Sequence, residues 1–171
     1  MAGSLIKIDE EIVTTAVARV TLTGIDSTYD VYMVAGNNIN LDTDGSLLFI
    51  RTAIDGAEQT TSNYDKAGKL LRASTTFSNI SGTNADYWYL DMILGTATQE
   101  QANFISYLFN WNNSSEYSFL TMETTFRSSV AELRGLAGGG VYTVQEAHNS
   151  IKFYASTGNI ASGTFTLYKV V

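Results

Sequence analysis

The chain has 171 residues, ten Lys and Arg against 17 Asp and Glu, a net charge of −7, and neither cysteine nor proline. With 44% hydrophobic residues, that length predicts one domain with a sizeable core, burying roughly 70% of the surface its unfolded chain would expose. Disulfides, thiolate zinc sites and cysteine nucleophiles are excluded, and the scattered basic residues form no cationic stripe for nucleic acid or an acidic membrane.

The opening, MAGSLIKIDEEIVTTAVARV, lacks a basic stretch followed by an apolar run, so a soluble protein made without an export sequence is expected. No segment has the apolar length of a membrane-spanning helix. From residue 18 the pattern alternates with a period of two. In ARVTLTGI, Val20 and Leu22 face one way and Arg19, Thr21 and Thr23 the other. In YDVYMVAG, Tyr29, Val31, Met33 and Ala35 share one face, while Tyr32 and Val34 make the other apolar as well. Further strands are predicted over 46–54, 87–94, 104–111, 116–126, 150–156 and 163–171, separated by turn clusters such as DTDGS, SGTNAD, NWNNSSE and STGNIASG. Short helical turns are expected at 61–74, where Gly68 limits the length, and at 96–104. The fold predicted is all-β: an antiparallel β-sandwich, jelly-roll-like, with at most one or two short helices.

Between Asn38 and Arg51 the sequence NINLDTDGSLLFIR resembles a calcium loop. Asn40, Asp42, Asp44 and Gly45 match the first ligand positions and the glycine, but Arg51 occupies the place of the closing glutamate. A guanidinium there repels a cation, so the stretch reads as a turn at Asp44-Gly45 and no metal is expected. His148, the single histidine, has no G-x-S-x-G elbow to partner it and reads as a loop residue before a strand. AGGGV (137–141) lacks the Lys-Ser or Lys-Thr of a phosphate loop and reads as a loop where backbones approach closely. The acidic run Asp9, Glu10 and Glu11 reads as a solvated patch. Trp88, Trp111, Tyr87 and Tyr89 are candidates for a sugar platform, although strand tryptophans are more often buried. The polar tip Trp111, Asn112, Asn113 keeps a ligand-contact loop in view. No catalytic residue and no cofactor are expected.

Several phrases together, GIDSTYDVYMVAGNNI, TDGSLLFIR, SNYDKAGKLL, YLFNWNNSSEYSF, GGGV and GNIASGTFTLYKV, resemble virion structural proteins of tailed bacteriophages, above all cyanophages and other marine phages. The likeness runs from Gly24 to the C-terminus; many relatives place a glycine after the closing LY, where this chain has Lys169. The resemblance implies a non-enzymatic protein on the outer surface of the particle, made in the host cytoplasm. Its partners would be itself, as a homotrimer, and the major capsid protein or other virion proteins, with no nucleic acid and no membrane. The role implied is a capsid decoration (cement) protein binding between major capsid subunits; the alternative is a tail or fibre component recognising a host glycan. Residues 24–171 would form the sandwich domain. Residues 1–23 would be either a docking arm, with Leu5, Ile6 and Ile8 as contacts, or an edge strand of the same sandwich.

Overall fold

The structure is a computed structural model and describes residues 4–90 and 92–171. Its strands are β1 (Leu5–Val13), β2 (Val20–Thr23), β3 (Val31–Leu41), β4 (Leu48–Ile54), β5 (Ala57–Glu58), β6 (Tyr64–Arg72) and β7 (Ser78–Ala85). They continue with β8 (Trp88–Tyr89), β9 (Ala102–Phe109), β10 (Ser118–Arg127), β11 (Leu133–Tyr142), β12 (Ser150–Ala155) and β13 (Ile160–Val170). There is no helix among the described residues.

Two antiparallel sheets pack face to face. The larger has eight strands in the order β1-β13-β3-β9-β10-β11-β6-β7; the smaller runs β2-β12-β4-β5, with β8 also paired to β4. Within this order lies a jelly roll. Strands β1, β13, β3 and β9 lie side by side in one sheet and β2, β12 and β4 in the other, with β8 on β4. Along these eight strands the chain therefore crosses between sheets at β1 to β2, β2 to β3, β3 to β4, β8 to β9, β9 to β12 and β12 to β13. Two insertions enlarge it. β5 to β7 enter between β4 and β8, and the β10–β11 hairpin enters between β9 and β12. Strands β10, β11, β6 and β7 extend the large sheet beyond β9 as a wing.

Alternation explains the layers. Along β10 the residues Ser118, Leu120, Met122, Thr124 and Phe126 are buried while Phe119, Glu123, Thr125 and Arg127 are exposed. The inward faces join in a core that includes Leu22, Ile50, Leu108, Ile151, Phe153, Phe165 and Leu167, each worth roughly 1.5–3 kcal/mol of burial. An aromatic seam runs through it: Tyr64 meets Trp88 edge-on at 4.7 Å, and Trp88 lies 5.9 Å from Trp111. Both tryptophans are buried.

Several sequence expectations change here. The 61–74 segment, expected as a helical turn, is β6, because pairing with β11 and β7 on both sides satisfies a backbone that helix propensity alone leaves free. Residues 96–104 are a turn running into β9. AGGGV is the middle of β11, a strand and not a loop. The 87–94 segment keeps its inward alternation at Trp88, Leu90, Met92 and Leu94, yet only Trp88–Tyr89 joins a ladder. Of the two readings of the N-terminal segment, the structure has the edge strand: β1 pairs with β13 along Leu5–Val13, and β2 pairs with β12. Residues 1–3 lie outside the described residues.

Candidate functional site

The calcium-like stretch becomes a crossover between sheets. Gly45 takes φ +74° at the turn, a region open to glycine at little cost. Asp42 is already engaged: its Oδ1 accepts from the Asn159 backbone N–H at 2.7 Å and its Oδ2 from Asn159 Nδ2 at 2.9 Å. These bonds, the backbone one first, and a weaker one from the Thr43 hydroxyl hold the carboxyl below its usual range. Arg51 sits on the outer face of the small sheet, bonded to Glu58 at 2.9 Å and Asp86 at 2.8 Å. The ligand set of a calcium loop is thus pointed in different directions.

The tip 111–113 is likewise redirected. The Trp111 ring is 1% exposed, and its indole N–H donates to the Ser150 carbonyl at 3.2 Å. It offers no stacking face because the hydrogen bond and the seam with Trp88 turn it inward. Asn112 Nδ2 donates to the His148 carbonyl at 2.9 Å, and Asn113 Oδ1 accepts from the Ser115 N–H at 2.9 Å. Asn112 thus holds the loop on the 145–149 segment, while Asn113 closes the loop's own turn.

His148 is buried between Trp111 and Tyr142. Its Nδ1 lies 3.0 Å from Ser118 Oγ and its Nε2 3.7 Å from Glu146 Oε2. Ser, His and Glu therefore do come together, which spacing alone did not indicate. Ser118 and His148 are both 0% exposed, however, so no substrate carbonyl reaches the hydroxyl in this arrangement. Burial lowers the imidazole pKa to about 4.

Two aromatic surfaces remain. On the small sheet, Phe49 stacks on Tyr87 at 3.9 Å, and Arg19 lies 4.2 Å above the Tyr154 ring. Its charges are internally matched: Glu58 accepts from both Arg19 and Arg51. The outer face of the large sheet is different. It exposes Ile105 (43%), Tyr107 (38%) and Phe119 (42%) where a free sheet face is ordinarily polar. Beside this ridge on β9 and β10 runs a trough on β11 and β6. Register places Thr121 beside Gly139 and then Ala67, and Glu123 beside Ala137 and then Lys69. A groove of about 500 Å³ follows the trough, lined by Phe109, Phe119, Thr121, Gly139, Ala67 and Thr83 among others. Thr121 is fixed there, its Oγ1 accepting from the Tyr107 N–H at 2.8 Å.

Along the edge of the same sheet, β1 leaves Leu5 (49%), Ile6 (45%), Ile8 (36%) and Ile12 (62%) exposed. This is where the structure places the predicted docking residues. The ridge and trough were not foreseen, since half of them comes from strands with no strand-like pattern. The alternation in FISYLF and SFLTMETTF carried the only signal, by placing aromatics on both faces.

Compared with protein-family models, curated proteins and solved structures, the chain matches none.

Proposed function

We propose that this chain is a structural protein of a tailed-phage particle, a capsid decoration protein that acts by contact between major capsid subunits. The observation that carries the reading is the uncovered apolar surface of the large sheet, its outer face and the β1 edge together. Such surface on a soluble domain marks a protein interface. The resemblance of its phrases to virion proteins points to the same reading, and the acidic charge suits a particle exterior. The expected copy number of three belongs to this proposal.

The test is reconstitution on particles stripped of the protein. Because Leu5 and Ile12 belong to a paired strand, deletion of residues 1–10 would uncover β13 as well as remove contacts. Point changes are cleaner. Leu5→Ser with Ile12→Ser should keep the strand and weaken attachment at least tenfold, about 1.4 kcal/mol. Complete particles should outlast deficient ones on heating; equal heat resistance would sink the cement role.

A second reading, a tail or fibre component that binds a host glycan, is favoured by the groove over Ala67 and Gly139 with Phe119 at its wall. Aromatic rings beside an open groove suit a sugar face. Retention of the protein on immobilised host polysaccharide, lost in Phe119→Ala, would support it.

A further inference from the structure

The outer face of the large sheet is divided lengthwise. At the two middle levels β9 and β10 present Tyr107 with Thr121 and Ile105 with Glu123, while β11 and β6 present Gly139 with Ala67 and Ala137 with Lys69; Phe109 and Phe119 stand level with Val141 and Asp65. At the middle levels, bulk on β9 against small residues at Gly139, Ala67 and Ala137 is a self-complementary shape.

We propose that this face pairs with the same face of a second copy, about a two-fold axis parallel to the strands and midway between β10 and β11. That axis sets β10 over the second copy's β11 and β9 over its β6, each at its own level. Tyr107 then enters the trough at Ala67, and Thr121 covers Gly139. A two-fold axis across the strands would instead set ridge on ridge, and the sheets would be held apart. Large against small is the arrangement that lets facing sheets reach the ~10 Å separation of a packed sandwich.

Charge points the same way. Glu123 is exposed and in register with Lys69 across Ala137. Turning the face over brings Glu123 above the half that carries the second copy's Lys69, and symmetry makes this pair twice. Area is also adequate. Six strands, β3 and β9 to β7 in the sheet order, at ~4.8 Å by eight residues at ~3.4 Å give roughly 780 Å² per copy, close to the ~800 Å² of a standard interface. The pairing rests on this surface alone and stands whether or not the chain belongs to a virion; it leaves the β1 edge for capsid contact and puts a dimer in place of the expected homotrimer.

Sedimentation velocity and light scattering on the full chain test it. A dimer is expected at tens of micromolar. Ala137→Arg fills the trough at an exposed position and should raise the dissociation constant at least ~100-fold, with the circular dichroism unchanged. Tyr107→Ser should weaken pairing from the other half. Glu123→Lys should weaken it too, and Lys69→Glu in the same chain should restore it. A monomer at ~100 μM (a free energy weaker than about −5.5 kcal/mol), an oligomer indifferent to Ala137→Arg, or failure of the charge swap to rescue would each overturn the proposal.

Discussion

His148 shows how much a single residue's meaning depends on its surroundings. Its ring is 0% exposed and its pKa is lowered to about 4 from 6.5, chiefly by burial. The unfolded chain therefore binds a proton that the folded one refuses. Stability from this group is complete above about pH 6.5 and is lost as pH falls toward 4, by at most roughly 3 kcal/mol. Glu146, 3.7 Å from the ring nitrogen, is the one charge facing it among the described contacts. Thermal midpoints measured from pH 7.5 to 4.5 should fall, and His148→Gln should flatten that slope. A slope unchanged in the variant would assign the loss to other groups. Glu132 follows the same sign in a lower window: hydrogen bonds from Ser74 and then Arg134 hold its pKa at about 2, so its contribution is complete above about pH 4.5 and is lost as pH falls toward 2. Neither environment is readable from spacing. The turn at Asp44-Gly45 and the wrong charge at Arg51 were, because they depend on residue type alone.

At the level of elements, legibility follows the side-chain pattern. The jelly-roll strands β2, β3, β4, β9, β12 and β13, and β10 of the inserted hairpin, alternate apolar with polar residues, and the sequence predicts them within a few positions. Strands β6, β7 and β11 read as helix, turn and loop because Gly, Ser, Asn and Lys dominate them. What makes them strands is the neighbour on each side, a tertiary fact. The glycines of β11 serve close contact. A Cβ at Gly138 would stand 2.4 Å from the Ala67 carbonyl oxygen, and one at Gly140 would stand 2.5 Å from the Trp88 indole nitrogen. Gly138→Ala should cost roughly 1–3 kcal/mol as overpacking. Gly82→Ala, whose nearest contact would be 3.7 Å from Lys66, should cost less than half as much in the same urea titration. Equal costs would mean that strand propensity, not contact, sets the penalty.

For the whole molecule, the arrangement is a jelly roll carrying a wing, and the wing holds most of the face on which the pairing depends. Far-UV circular dichroism should show a β protein with well under about 30% helix, the average globular share. The wing also has a temporal consequence. Its central seam joins Tyr64 to Tyr142 and Arg72 to Arg134, partners that the chain delivers far apart in sequence, whereas β10 and β11 meet across a short turn. Loop closure must be completed before such distant pairs contribute. The β10–β11 hairpin should thus form early and the β6–β7 hairpin zip onto it late. Amide hydrogens of β6 and β7 should then exchange ahead of those of β9 and β10 in the native protein. In a cell, the trough would remain open until the last strands arrive, so a copy could not engage its neighbour before it had finished folding.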